Sequence, residues 1–257
     1  MLLKEFDESQ AAVINAIDCV KPIKDFPKVA VSCFSEFTLN RLVKELKGVE
    51  IASFKTANMK VPVYKVKYKE IECALFMSCV GAPACVGGIE DIFAMGADKL
   101  VLFGTCGVLE ASIENCSIII PNVALRDEGT SFHYAKASDE IVVNPKYKEE
   151  FIDILNKEQC SYRIGKVWTT DAMYRETRKK VQRRKEQGCI CVDMECSAVA
   201  ALANFRKKEV FQFFYAADNL ECEEWDVRSL ANEDNPLEKD RIALLAMELA
   251  IILSKNK

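Results

Sequence analysis

Fully apolar runs of strand length, set between stretches of helical period, constrain this chain most. "KVAVSCF" (Lys28–Phe34), "KLVLFGTCGVL" (Lys99–Leu109), "SIIIPNVAL" (Ser117–Leu125), "GCICVD" (Gly188–Asp193) and "EVFQFFYAAD" (Glu209–Asp218) hold few polar positions. A strand with one wet face alternates polar and apolar residues, whereas a strand apolar throughout is covered on both faces. "RIGKVWTT" (Arg163–Thr170) reads as a further strand. "VPVYKVKY" (Val61–Tyr68) with "IECALFMSC" (Ile71–Cys79) reads as a strand pair. Helical patterns intervene after Phe34 through Arg41 and Leu46, in "GAPACVGGIEDIFAMGA" (Gly81–Ala97), near Tyr147–Lys157, at Ala198–Ala203 and at about Lys239–Ser254. This order predicts a single α/β domain, residues 1–257, with a mixed, mostly parallel central sheet flanked by helices.

Composition excludes several classes. Half of the 257 residues are apolar, enough for one large core. Net charge is −4 and the basic residues are scattered, so nucleic acid is not an expected partner. The densest basic run, "RKKVQRRK" (Arg178–Lys185), lies between Glu176 and Glu186. It reads as a solvated helix face, with phosphate or partner contact as the other option. No apolar run approaches the roughly 20 residues that cross a bilayer, so no membrane partner is expected. "MLLKEFDESQ" is acidic, unlike a secretory leader, and the 12 cysteines form no compact framework. A cytoplasmic setting is therefore expected, with reduced thiols acting as small buried hydrophobes. One histidine and no CxxC pair argue against a metal site.

Ligands of largely parallel sheets bind beyond the carboxyl ends of the strands. The polar residues there are Ser32–Glu36, Gly81, Gly104–Thr105, Arg126–His133, Thr170–Asp171, Asp193–Glu195 and Asp218–Asn219. They are candidates for one composite site. The carboxylates allow plainer readings too: Asp193 and Glu195 as charges favouring a helix N-terminus, Asp218 as a cap of the next turn.

Taken in order, these segments resemble the nucleoside phosphorylase-I family of purine nucleoside phosphorylases, uridine phosphorylases and methylthioadenosine nucleosidases. "VGAPACVGGIEDIFAMGADKLVLFGTCGVL" (Val80–Leu109) resembles the family's glycine turn, helix, strand and Gly-Thr-x-Gly turn. "VALRDEGTSFHY" (Val123–Tyr134) resembles a loop of the uridine branch. "VDMECSAVAAL" (Val192–Leu202) resembles the Val-Glu-Met-Glu signature, and "YAADNL" (Tyr215–Leu220) the Ser-Asp element of the purine branch.

The resemblance implies a partly barrel-like sheet, a homo-oligomer (dimer or hexamer), no cofactor or metal, and a nucleoside and inorganic phosphate as substrates. It implies that Glu195 accepts the ribose 2′ and 3′ hydroxyls, since a charged acceptor makes the stronger bonds. Met194 would pack on the sugar, beside Asp193, which is shorter than the family's usual Glu. His133 would reach the 5′ hydroxyl or order its own loop. Asp218 would protonate N7 of a departing purine and Asn219 would bond the base. Met173 and Tyr174 would wall the base pocket. Arg178 would reach the base or belong to the charged helix. Thr105, Gly104, Gly81 and Arg126 would hold phosphate. The chain also departs from the family. Leu102 stands where phosphorylases carry Arg, "SCFSEFTLNR" (Ser32–Arg41) lacks the phosphate loop's Gly and Arg, and Arg41 falls too late to replace it. "ECEEWDVRSL" (Glu221–Leu230) reads either as a lid over the base, with Trp225 able to stack, or as a surface loop. A purine-cleaving phosphorylase is the first reading. Uridine phosphorylase, a phosphate-independent nucleosidase and a non-catalytic nucleoside-binding protein are the alternatives.

Overall fold

The computed structural model describes residues 2–230 and 236–256. The chain runs α1 (Ala16–Cys19), β1 (Val29–Cys33), α2 (Glu36–Glu45), β2 (Val49–Lys55), β3 (Lys60–Tyr68), β4 (Ile71–Met77), α3 (Ala82–Met95), β5 (Lys99–Val108) and β6 (Ile118–Asp127). It continues through β7 (Glu140–Val142), α4 (Lys148–Lys157), β8 (Tyr162–Thr170), α5 (Arg178–Glu186), β9 (Cys189–Asp193), α6 (Cys196–Arg206), β10 (Glu209–Asn219) and α7 (Pro236–Lys255).

Ten strands form one mixed sheet in the order β10-β6-β8-β9-β5-β1-β4-β3-β2, with β7 on β6. Because β10 also pairs with β5, the five strands β10, β6, β8, β9 and β5 close into a ring, and the remaining path extends from it. Parallel pairs join β1 to β4 and β5, β5 to β10, and β8 to β6 and β9. The strand pair expected over 61–79 is the antiparallel hairpin β3–β4.

Apolar strands lie where covering helices exist. All five residues of β1 are buried. α3 and α6 bring Ile89, Ile92, Val199 and Leu202 over Ala30, Leu100 and Leu102 on one face. α2, α4 and α7 bring Leu42, Phe151, Leu245 and Leu249 against Val31, Val101 and Phe103 on the other. Leu102 is therefore a core residue.

One local expectation changes. The Gly-Thr-Cys-Gly stretch is not a turn, because β5 runs through it to Val108, paired with β10. Its glycines serve close approach. A Cβ at Gly104 would stand 2.6 Å from Phe34 Cδ2, and one at Gly107 would stand 2.4 Å from Leu220 Cδ1. The other edge of β5 pairs with β1 as far as Phe103 and with β9 from Gly107. Between these partners the edge is open at Gly104–Cys106. A gap of this kind at the carboxyl ends of diverging strands is where such sheets take ligands.

Candidate active site

A cavity of about 800 Å³ fills that gap, lined by Thr105, Cys106 and Gly107 of β5, the ends of β9 and β10, and the segments around Met173 and Trp225. Its two chemical ends are built differently.

At the β9 end, the backbone turns from strand into α6. Asp193 Oδ2 accepts the amides of Glu195 (2.9 Å) and Cys196 (2.6 Å), capping the helix. Its other oxygen, Oδ1, finds no partner among the described residues. Glu195 Oε1 accepts the amide of Gly81 (2.5 Å), which opens α3 at φ +92°, a conformation that glycine adopts without strain. Met194 lies between the two carboxylates on the cavity wall. Burial raises the pKa of both Asp193 and Glu195; the Asp193 charge raises Glu195 further, the Glu128 charge raises Asp193, and backbone amides offset part of this. Beneath them, Ser197 donates its hydroxyl to Glu128 (2.8 Å) and its amide to Thr169 Oγ1 (3.1 Å). Glu128 in turn accepts the amide of Ser131 (2.9 Å). The buried carboxylates thus rest on a polar network reaching the 128–131 loop.

At the β10 end, the register with β5 slips between Ala216 and Asp218. Such a bulge re-aims the following side chain. Asp218 lines the cavity beside Gly107, whose missing Cβ would stand 3.1 Å from Oδ1. Trp225 Nε1 donates to Asp218 Oδ2 (2.8 Å). Burial raises the Asp218 carboxyl pKa, and the Trp225 bond opposes it. Glu176 shares this end. Its pKa is pushed up to about 7, first by burial and then by the Asp218 charge, with Lys180 opposing. Sequence reasoning took Glu176 only as a neighbour of the basic run; its place just after Tyr174, a candidate wall residue, was the available signal.

A family model described as the phosphorylase superfamily matches residues 28–251. The chain belongs to the phosphorylase superfamily. A guanosine phosphorylase of Halorubrum lacusprofundi is 23% identical over 57% of this chain and 61% of its own. A uridine phosphorylase of Thermococcus kodakarensis is 30% identical over 42% of this chain and 39% of its own. The matches thus span less than two thirds of these curated relatives. The solved structure of a purine nucleoside phosphorylase from Toxoplasma gondii shares the fold, with a TM-score of 0.77 at 16% identity over 91% of this chain and 96% of its own.

In this phosphorylase-superfamily chain, Thr105, Met173, Tyr174, Arg178, Asp193, Met194, Glu195 and Asp218 meet around one cavity. Gly104 lines an adjoining cavity of about 260 Å³, which shares Phe34, Thr105 and Leu230 with the first. Other expected residues are used elsewhere. Arg126 does not line either cavity. Its guanidinium stacks 4.1 Å from the Phe132 ring centre and bonds Ser131 Oγ, Lys136 O and Ser138 Oγ at 2.8–2.9 Å, organising its own loop. His133 is exposed on the 130–133 turn, away from the cavity. Asn219 is buried and shapes the next turn, accepting the Glu221 amide and donating to Cys222 Sγ. The Gly81 amide is committed to Glu195. Arg178 donates to Leu220 O and Glu223 O, so it fastens the 220–225 segment. That segment folds back through an Asn219–Asp226 bridge and brings Trp225 to the cavity as a flap. Tyr174, 92% exposed, stands at the mouth.

Half of the run Arg178–Lys185 is exposed, while Val181 is buried and Arg184 and Lys180 hold Asp127 at 3.0 and 3.2 Å beside Trp168. All 12 cysteines are free thiols. Among the described residues, no helix is long and apolar enough to cross a membrane.

Proposed function

We propose that the chain is a nucleoside phosphorylase that cleaves a purine nucleoside to free base and ribose 1-phosphate. The observation that carries this is Asp218, a buried carboxyl with raised pKa, aimed by the β10 bulge into a cavity whose other end presents Glu195. Glu195 in its charged form accepts the ribose 2′ and 3′ hydroxyls and favours positive charge on the sugar. A phosphate oxygen attacks C1′ from the Thr105 side. The C1′–N9 bond breaks, its electron pair moves into the imidazole ring, and Asp218 gives its proton to N7. The Trp225 flap keeps water from the leaving base. Support also comes from the guanosine phosphorylase relative.

A base-release assay on inosine, guanosine, adenosine and uridine at equal concentration, with saturating phosphate, tests the base class. Purines are expected to react faster. A preference for uridine would overturn Asp218 as the guide to substrate. The hydrolytic alternative draws on one observation: among the described residues, no arginine lines the cavity at the Thr105 end. Base release unaffected by omitting phosphate would favour it. The homo-oligomer belongs to the same proposal. Val13, Ile14 and Ile17 are exposed in the single chain, and sedimentation as a monomer would remove that part.

A further inference from the structure

We propose that Glu176 reads the far edge of the base, accepting N1–H, and restricts the site to 6-oxopurine nucleosides such as guanosine and inosine. The inference rests on the purine phosphorylase reading and narrows its substrate class. Glu176 lies on the short stretch between β8 and α5, at the Asp218 end of the cavity of about 800 Å³. Its backbone is fixed from both sides. Its amide donates to Met173 O (3.2 Å), and the next residue, Thr177, caps α5 by accepting the Lys180 amide (3.3 Å). The carboxyl is half-buried and has no hydrogen bond or close ion pair among the described residues. The polar side chains around it are in use. Trp225 donates to Asp218, and Arg178 to Leu220 O and Glu223 O. Lys180, the cation whose charge reaches Glu176, is bonded to Asp127 at 3.2 Å. Glu176 is thus an acceptor without a donor, and shielding such a group from water is costly unless a ligand meets it.

The base supplies the donor. A 6-oxopurine presents N7 as an acceptor and N1–H as a donor on either side of O6, and guanine adds a 2-amino group next to N1. A base placed with N7 on Asp218 turns N1 toward a second group beyond O6. Asp218 must be protonated to give N7 its proton, so it is neutral and its charge no longer opposes that of Glu176. One neutral and one charged carboxyl is also the arrangement that two acids facing one cavity favour. A charged Glu176 then accepts N1–H and, in guanine, a 2-amino N–H as well. Adenine carries a lone pair at N1 and no hydrogen. Set against the carboxylate, that lone pair is repelled and the acceptor stays unpaired, which is how a polar site rejects an analogue.

The test compares kcat/KM for inosine and adenosine, at saturating phosphate, in the wild-type chain and in Glu176→Gln. The wild type is expected to prefer inosine by about 10²-fold or more. In Glu176→Gln the preference is expected to shrink by about tenfold or more, with a loss for inosine and a gain for adenosine, because the amide donates to adenine N1. Guanosine, with its added 2-amino group, is expected to lose more than inosine. A cooperative unfolding transition checks that the variant is folded, and Glu176→Ala serves, with the same loss of preference, if it is not. Adenosine cleaved as fast as inosine by the wild type, or a preference that the folded variant keeps, overturns the assignment of Glu176 and leaves the purine reading intact. An equal fall for both nucleosides does the same, since a structural role would move them together. If the wild type releases no purine, the purine reading fails, and calorimetric titration with hypoxanthine and adenine decides Glu176 alone. Tighter hypoxanthine binding that Glu176→Gln weakens about tenfold keeps the assignment. Equal binding of the two bases overturns it.

Discussion

Asp193 and Glu195 stand two residues apart, yet their side chains are employed differently. Asp193 has the short reach of a helix cap and uses it, bonding two amides of the turn into α6. The longer Glu195 crosses to the start of α3 and meets Gly81. Burial raises the Glu195 pKa above its unfolded value, so the folded chain binds more protons in the window between the two values. Stability falls as pH rises through that window and is lowest above it. Glu195→Gln is therefore expected to raise the Tm of the ligand-free protein at alkaline pH, on the order of 2–4 °C, while weakening nucleoside binding and rate together. A lower Tm with normal kinetics would mean that Glu195 is structural. Asp218→Asn is expected to lower purine cleavage by about 10²–10⁴ and uridine cleavage less. The Trp225 N–H favours the charged form of Asp218. Trp225→Phe is therefore expected to move the alkaline loss of purine cleavage to higher pH, and an unmoved limb in the pH–rate profile would exclude Asp218 as the donor. Both carboxylates were legible in the sequence as acids at the ends of apolar strands. The task of Arg126 was not, because its partners include the backbone carbonyl of Lys136, which no side-chain pattern records.

At the scale of elements, the glycines of β5 show why a turn was expected and a strand is found. Glycine usually marks a turn, but Gly104 and Gly107 leave room for Phe34 and Leu220 on an extended chain. Gly107→Ala forces a contact with Leu220 Cδ1 and crowds Asp218, so it is expected to cost about 1–3 kcal/mol in a denaturant titration and to impair purine cleavage. The bulge at Ala217 was also hidden, since slippage depends on a partner strand more than 100 residues earlier in the chain. The basic run of α5, expected as a mostly solvated face, is only half exposed, and Arg178 fastens the flap through two backbone carbonyls. Arg178→Ala is expected to speed proteolysis within residues 220–226 and to raise the nucleoside KM. A protease pattern like that of the wild type would show the flap held by other contacts.

At the scale of the molecule, covering both faces of the apolar strands gave the α/β class and pointed to the strand ends, where the cavity lies. Ring closure by β10 on β5 required the structure, because hydrophobic pattern says which strands are buried and not which ones pair. That closure brings Asp218 beside Gly107, in the cavity that Thr105 and Glu195 also line. The most direct test of phosphate-dependent purine cleavage there is phosphorus NMR of the purified chain with guanosine and inorganic phosphate. A growing ribose 1-phosphate resonance, matched mole for mole by free guanine, is the expected result. Free guanine with no new phosphorus resonance would contradict it and make the chain a hydrolase.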